Sequence, residues 1–96
     1  MFFKKKDESI SMAEANKLKN AAIIDGNTKA EFDTGSMPGA KNIEMNDVVS
    51  DTEMFLDKDK TYYILCQSGN RSSMVCDNLS KRGYEVINIA GGMNAY

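Results

Sequence analysis

The sequence predicts an α/β fold built on a parallel-type sheet. Segments with strand character alternate along the chain with segments of helical periodicity, which is the pattern of successive strand-helix-strand units. The apolar run at 61–65 is nearly continuous, as expected of a strand covered on both faces. With 96 residues, the chain has room for a single hydrophobic core and therefore for one domain.

The first predicted elements are a helix and a buried strand. Ser11 precedes apolar residues at helical spacing, and Glu14 stands three positions after it, which is the spacing of a capping box. We therefore expect a helix over about residues 11–20. The apolar run 21–24 then predicts a short buried strand, which ends at the turn-forming residues 25–27.

A helical turn, a tight turn and a second brief strand are predicted next. Thr28 and Glu31 repeat the capping-box spacing, so a short helical turn should follow and stop near Gly35. The pair at 38–39 is Pro-Gly, which suits the two central positions of a β-turn. We expect a brief strand over residues 41–44 after this turn.

The second half of the chain repeats the alternation. Residues 47–56 have a loose helical pattern, and a charged surface cluster separates them from the strand at 61–65. A helix with its apolar residues on one face follows a polar loop and should stop at Gly83. Residues 84–89 return to the strand pattern.

Charge and hydropathy exclude several kinds of partner. The formal net charge of -2 offers no basic surface for nucleic acid. No apolar stretch has the length of a signal-peptide core or of a membrane span, so we expect a cytoplasmic protein without a membrane partner. The Lys run at 4–6 is followed at once by acidic residues, and residues 1–9 are expected to form a loosely ordered N-terminal segment.

Histidine is absent from the chain, and cysteine occurs twice. A Cys-His catalytic pair is therefore impossible, and two cysteines ten positions apart are too few for a zinc site. We expect no metal and no cofactor. Without an export signal, the two cysteines indicate a reducing compartment in which a thiol is available for chemistry.

The loop after the strand at 61–65 is the candidate functional site. Cys66 stands at the carboxyl end of that strand, where α/β sheets place their ligands. The following residues can turn backbone N–H groups inward around an anion, and such donors favour the thiolate, the nucleophilic form of cysteine. We therefore predict that Cys66 is the catalytic residue. The predicted substrate-binding residues are Gln67, Ser68, Gly69, Asn70, Arg71 and Ser72.

Other roles are open for some of these residues. A cysteine that closes a buried strand can also be a small packing residue, but an inert core cysteine has no need of a polar, anion-suited loop. For Cys76 we expect burial on a helix face rather than service as a resolving thiol. Asp25, at a strand end, either holds the turn after the strand or contacts substrate.

Three segments of the chain carry a family resemblance. Residues 66–72 read CQSGNRS, residues 31–43 read EFDTGSMPGAKNI, and residues 83–96 read GYEVINIAGGMNAY. In this order and spacing they resemble a single-domain member of the rhodanese (thiosulfate sulfurtransferase) family. The corresponding family patterns are C-x-x-G-x-R-S, E-Y/F-x-x-G-H-I-P-G-A-x-N-I and G-Y…V-x-N-x-x-G-G-x-x-A-W.

The resemblance implies one rhodanese-like domain over residues 1–96, with a five-stranded parallel sheet flanked by helices on both faces. It also implies an enzyme in which Cys66 takes a sulfane sulfur as a persulfide and passes it to a thiophilic acceptor. Thiosulfate is the implied small-molecule donor, and cyanide or a thiol is the implied acceptor.

Two other functions stay open. The chain can be a sulfur-relay or protein-binding module that takes sulfur only from a partner protein and has little thiosulfate activity. A small phosphatase or arsenate reductase is the third candidate, which the loop length disfavours. Loops of six residues, counted here from Cys66 to Arg71, suit sulfur transfer in the family, and the related phosphatases use one residue more.

The chain departs from the family pattern at three positions. Asn27 stands where the family has arginine, so any pairing of that arginine with Glu31 is lost. Ser36 replaces a histidine, and Tyr96 replaces a tryptophan. These changes leave the Cys66 loop intact but are expected to alter substrate orientation, catalytic rate and stability.

Overall fold

The computed structural model describes residues 8–96, which form one sheet of five parallel strands. The strand order across the sheet is β1-β5-β4-β2-β3, and every neighbouring pair is parallel. The strands are β1 (Ser9–Ser11), β2 (Ala22–Asp25), β3 (Lys41–Asn42), β4 (Thr61–Leu65) and β5 (Glu85–Ala90). The predicted parallel α/β sheet is therefore confirmed, with β4 at its centre.

The helices connect successive strands. They are α1 (Met12–Ala15), α2 (Lys29–Asp33), α3 (Met45–Ser50), α4 (Thr52–Phe55) and α5 (Asn70–Lys81), followed by a 3₁₀ helix at Gly92–Ala95. The longest, α5, joins the two neighbouring strands β4 and β5. In the part of the chain that the structure describes, no helix is long and apolar enough to cross a membrane.

Hydrophobic cores lie on both faces of the sheet, because alternate residues of a strand point to opposite sides. Tyr62 and Ile64 of β4 belong to the core that includes side chains of α3 and α5. Tyr63 and Leu65 pack on the opposite side, in the core that includes side chains of α1. Helices thus cover both faces of the sheet, as predicted.

The capping and turn signals of the sequence are confirmed. Ser11 and Thr28 each accept a hydrogen bond from the backbone N–H three residues on, and each forms a complete capping box. The Pro-Gly pair forms a tight turn closed by the Ala40 N–H on the Met37 carbonyl at 3.1 Å. Gly39 has φ +82°, which glycine adopts without steric cost at this turn position.

The segment around the first helix differs from the prediction. Strand β1 pairs with β5, and the helix after it is far shorter than residues 11–20. Beyond Asn16, the N–H groups of Lys17 and Leu18 bond carbonyls three residues back, so the helix tightens into turns. Residues 1–9 were expected to be loosely ordered, and residues 1–7 of this segment lie outside the described residues. At its other end, Ser9 is the first residue of β1.

The structure also refines two further segments. A strand was predicted for residues 41–44, but β3 contains only the first two of them, Lys41 and Asn42. The loose helical pattern at 47–56 corresponds to α3 and α4, and Asp51 between them has φ -121° and ψ +43°, outside the helical region. The strand at 61–65 and the stop at Gly83 are found where predicted.

Candidate active site

The polar loop between β4 and α5 contains Cys66 at its first position. Cys66 directly follows β4, and Gly69 is the N-cap of α5 with φ +91°. A Cβ on Gly69 would lie 2.7 Å from the Gly91 backbone nitrogen, so a larger residue would strain the backbone conformation and also clash. The sequence thus forms the predicted loop at the carboxyl end of the central strand.

A second segment, after β5, holds this loop from the side. The Met93 N–H donates to the Cys66 carbonyl at 2.9 Å, and the Asn94 N–H donates to the Gln67 carbonyl at 2.9 Å. The Gln67 side-chain amide also donates to Asn94 Oδ1 at 2.8 Å. Gly92 lies against the same two loop carbonyls. The loop backbone is therefore fixed by contacts about 27 residues away in sequence.

Hydrogen-bonding groups of the loop and of α5 surround the Cys66 sulfur. The side chain is buried, with 3% exposure, and Sγ lies 3.1 Å from the Gly69 nitrogen and 3.2 Å from Ser72 Oγ. Desolvation by burial raises the pKa of Cys66, but hydrogen bonds from Ser72 and from the Gly69 and Ser68 backbone lower it further than burial raises it. The net pKa lies below that of an ordinary cysteine. A thiol with this shift is more reactive than a packing cysteine.

Ser72 and Asn88 extend the polar contacts into the core. Ser72 is completely buried, and its hydroxyl donates to Asn88 Oδ1. Asn88, on β5, is 7% exposed and donates through Nδ2 to the Gly69 carbonyl at 3.2 Å. We did not single out Asn88 from the sequence. The available signal was a polar residue within the otherwise apolar strand pattern at 84–89.

The remaining predicted site residues form the outer rim of the loop. Gln67, Ser68, Asn70 and Arg71 are all exposed. Ser68 Oγ accepts the Asn70 N–H at 3.2 Å, which shapes the turn into α5. Within residues 8–96, the Arg71 guanidinium takes part in no hydrogen bond or ion pair, so its charge is available to an incoming anion.

Asp25 holds the turn after β2. Its side chain is fully buried, and its Oδ1 accepts the Asn27 N–H at 2.9 Å. Its Oδ2 accepts the Ser36 hydroxyl at 2.6 Å. Two of the three departures from the family pattern, Asn27 and Ser36, are thus hydrogen-bonded to one carboxyl group, and Asp25 has the first of its two predicted roles.

Cys76 is a buried residue of the core on the α5 side of the sheet. Burial raises its pKa to about 12, and the nearby Cys66 raises it as well. A thiol with this pKa is almost entirely protonated at neutral pH and is a poor nucleophile. The structure therefore agrees with packing as the role of Cys76.

Comparison with known proteins identifies the family of this chain. The model of the family described as "Rhodanese-like domain" matches residues 7–96. The chain belongs to this family. The crystal structure of a rhodanese-like domain protein from Staphylococcus aureus superposes with a TM-score of 0.81 and shares 34% sequence identity, and the match covers 92% of this chain and 89% of that one.

Two curated relatives carry sulfurtransferase in their names. YtwF of Bacillus subtilis, provisionally named a sulfurtransferase, is 40% identical over 74 residues, which is 77% of this chain and 71% of YtwF. "Adenylyltransferase and sulfurtransferase UBA4" of Meyerozyma guilliermondii is 29% identical over 100 residues, covering 94% of this chain but only 24% of that protein. At the level of the family, this rhodanese-like domain is associated with sulfur transfer.

Proposed function

We propose that this rhodanese-like domain is a sulfurtransferase that carries a sulfane sulfur on Cys66 as a persulfide. The observation behind this proposal is the buried Cys66 sulfur, which accepts the Gly69 N–H at 3.1 Å, is hydrogen-bonded to the Ser72 hydroxyl at 3.2 Å and has a lowered pKa. These donors favour a thiolate, and they also suit the negative charge of a persulfide. Persulfide chemistry needs a free thiol, and both cysteines are free, in keeping with the expected cytoplasmic location.

Thiosulfate is the proposed small-molecule donor. The Cys66 thiolate attacks the outer sulfur of thiosulfate, a new S–S bond forms on Cys66, and the S–S bond of thiosulfate breaks. Sulfite leaves with the bonding electron pair. Cyanide or a thiolate then attacks the outer sulfur of the persulfide, takes it as thiocyanate or a new persulfide, and releases the Cys66 thiolate. No external oxidant or reductant enters the cycle.

The rim of the loop is proposed to bind the donor. Arg71 has a free positive charge beside the loop, and thiosulfate and the departing sulfite are both anions. The backbone N–H groups of residues 67–72, together with the Ser72 hydroxyl, are the proposed partners of the transferred sulfur. Gln67, Ser68 and Asn70 are exposed beside this path and are proposed to contact the donor.

A sulfur-relay module is the second candidate function. Its support is the exposed polar rim of the loop, which can meet a protein surface, and the UBA4 relative, whose name combines adenylyltransferase and sulfurtransferase. In such a module, Cys66 takes sulfur from a persulfide on a partner protein by the same attack on the outer sulfur. The chemistry at Cys66 is then unchanged and only the donor differs.

Mass spectrometry of the intact protein tests the persulfide. After thiosulfate treatment and gel filtration, the wild-type protein should gain the mass of one sulfur atom, and cyanide should remove it as thiocyanate. Cys66→Ser should gain nothing. Cys76→Ala is the matched control because it also lacks one thiol and should still gain sulfur. The proposal fails if Cys66 gains no sulfur from any donor, or if Cys66→Ser keeps the sulfur-transfer activity.

The choice of donor separates the two candidate functions. Sulfur loading by a cysteine desulfurase with negligible thiosulfate turnover would favour the relay module. Brisk thiocyanate formation from thiosulfate and cyanide would favour the enzyme. Hydrolysis of an aryl phosphate by the wild-type protein, lost in Cys66→Ser, would instead favour the phosphatase.

A further inference from the structure

Cys66, Ser72 and Asn88 form a buried row of hydrogen bonds that spans three elements. Cys66 follows β4, Ser72 lies in the first turn of α5, and Asn88 lies on β5. Cys66 Sγ is 3.2 Å from Ser72 Oγ, and the same oxygen is hydrogen-bonded to Asn88 Oδ1. All three side chains are buried, with exposures of 3%, 0% and 7%. Breaking a hydrogen bond in such a buried site costs free energy, because no water molecule replaces the lost partner.

The direction of the Asn88 amide is determined by its second partner. The Gly69 carbonyl, 3.2 Å from Asn88, is a hydrogen-bond acceptor only, so the side-chain NH₂ group must face it. Oδ1 of Asn88 therefore faces Ser72, and Oδ1 is itself an acceptor only. The hydrogen between Ser72 and Asn88 consequently belongs to Ser72.

A serine hydroxyl has one hydrogen, and here two groups compete for it. While Cys66 is a thiol, its S–H donates to Ser72 Oγ, and Ser72 donates to Asn88. When Cys66 ionises, its sulfur can only accept hydrogen bonds. The Ser72 hydroxyl can then donate to this sulfur only if it breaks its hydrogen bond to Asn88 Oδ1. The uncharged row is therefore complete only while Cys66 keeps its proton.

We propose that Asn88 is a positioning residue that turns the Ser72 hydroxyl toward itself and so limits how readily Cys66 loses its proton. This inference rests on the proposed function for the role of Cys66 as nucleophile, and it adds a residue that sets the reactivity of that nucleophile. A thiolate loses nucleophilicity as its pKa falls, and the best attacking thiol has a pKa near the ambient pH. Asn88 opposes the donors of the loop and keeps Cys66 nearer to that value.

Among the described residues, the pKa of Cys66 depends mainly on burial and on hydrogen bonds rather than on neighbouring charges. Cys76, on α5, is a titratable side chain whose pKa the nearby Cys66 helps to raise, and at about 12 this pKa keeps Cys76 neutral at pH values near neutrality. The other contributions to Cys66 come from hydrogen bonds of residues 68, 69 and 72 and from burial.

The test compares the pH dependence of iodoacetamide alkylation at Cys66 in the native proteins, with the Cys66 peptide quantified by mass spectrometry. Leucine has the same branched arrangement of side-chain heavy atoms as asparagine, and Asn88→Leu removes the competing acceptor. We expect it to lower the pKa of Cys66 by about one pH unit, the effect of one hydrogen bond between uncharged groups. Ser72→Ala should raise the pKa, and Asn88→Leu should cause no further shift in the Ser72→Ala background. Ser73→Ala, one position along α5, is the matched control and should titrate like the wild type.

The sign of the shift distinguishes positioning from simple support of the loop. Asn88→Leu also loses the bond to the Gly69 carbonyl, and a loosened loop would raise the pKa of Cys66 with or without Ser72. A raised or unchanged pKa in Asn88→Leu, or a shift that persists in Ser72→Ala, overturns the inference.

A measurement on the wild-type protein covers the case in which Asn88→Leu does not fold. In ¹⁵N NMR spectra, the side-chain amide of Asn88 should shift with pH at the midpoint of Cys66 ionisation, and this shift should vanish in Cys66→Ser. If the chemical shift of the Asn88 amide does not change as Cys66 titrates, the inference is overturned. Neither measurement uses a sulfur donor, so a Cys66 that titrates as expected but never gains sulfur contradicts the proposed function alone.

Discussion

Gly92 lies against the Cys66 carbonyl oxygen: a Cβ atom on Gly92 would be only 2.2 Å from that oxygen and 2.7 Å from the Gln67 oxygen. Gly92 also has φ +56°, a conformation that L-residues with a side chain rarely adopt. The segment after β5 can therefore donate its two N–H groups to the loop only because residue 92 has no side chain. This contact connects the end of the chain to the geometry of the nucleophile.

Gly92→Ala should disrupt the active loop. The new methyl group must displace backbone atoms on both sides, which costs about 1–3 kcal/mol beyond the cost of the left-handed conformation itself. We expect a lower free energy of unfolding in urea and a Cys66 pKa nearer to the ordinary value, since Gly69 and Ser72 no longer align on the sulfur.

Gly39→Ala is the control for Gly92→Ala. Gly39 also has a positive φ, of +82°, but a Cβ there meets nothing within 4 Å. This variant should lose only about 1 kcal/mol of stability and keep the Cys66 pKa of the wild type. Equal stability losses in the two variants, with an unchanged Cys66 pKa in Gly92→Ala, would contradict the close contact.

Ser36→Ala should destabilise the fold through Asp25. The Ser36 hydroxyl donates to Asp25 Oδ2 at 2.6 Å, and the Asp25 side chain is fully buried. Without this donor, a buried carboxyl oxygen loses a partner, which costs about 1–3 kcal/mol in the free energy of unfolding. Ser50→Ala, which removes an exposed hydroxyl bonded to the Asn46 carbonyl, should cost less than about 0.5 kcal/mol. Equal losses in chemical denaturation would show that the bond to Asp25 is unimportant.

Much of the fold was predictable because its central elements carry strong local signals. The strand at 61–65 has five consecutive residues suited to a buried strand, and both capping boxes state where a helix begins. Strand β1 was missed because Ser9–Ser11 offers a single apolar residue, and because Ser11 is also the N-cap of α1. Its position depends on pairing with β5, almost 80 residues away in sequence, which no local pattern encodes.

From the sequence, we could predict only those residues of the candidate site that are close together along the chain. Cys66, Gly69 and Ser72 lie close together in sequence, in the loop and the first turn of α5, so their chemistry and spacing are enough to indicate a site. Asn88 and the segment after β5 reach the loop through the parallel pairing of β4 with β5. The family pattern includes these positions, but the pattern alone does not say that they contact Cys66.

Arg71→Ala should weaken the binding of thiosulfate without affecting the fold. The side chain is exposed, so we expect the free energy of unfolding to change by less than about 0.5 kcal/mol. Loss of its charge should raise the KM for thiosulfate about tenfold, the effect of one charge-assisted contact, with a smaller change in kcat. Raising the ionic strength should increase the KM of the wild type more than that of the variant.

Lys60→Ala is the matched control for Arg71→Ala. Lys60 is also exposed, but it precedes β4 and so lies at the end of that strand opposite to Cys66. It should keep the KM of the wild type. A similar KM for thiosulfate in Arg71→Ala and the wild type would contradict the proposed role of the guanidinium.

The stability of the protein should fall at alkaline pH because of Cys76. Its folded pKa is raised to about 12, whereas an unfolded cysteine has a pKa of about 8.5. Its stabilising contribution is therefore fully present below pH 8.5 and is lost as the pH rises toward 12, because the unfolded state gives up its proton first. At pH 10 the loss amounts to about 2 kcal/mol. Cys66, with a lowered pKa, acts with the opposite sign, and its contribution grows as the pH rises through its folded pKa.

Comparison with Cys76→Ala isolates this contribution, since the other titrating groups are common to both proteins. The variant leaves a cavity in the core on the α5 side, so the wild type should be more stable at pH 7. Urea unfolding in the presence of a reductant should show this difference shrinking by about 2 kcal/mol between pH 7 and pH 10, because the variant has no thiol to ionise when it unfolds. A difference that stays constant over this range would mean that Cys76 ionises as readily in the folded protein as in the unfolded chain, and so would contradict its burial as a protonated thiol.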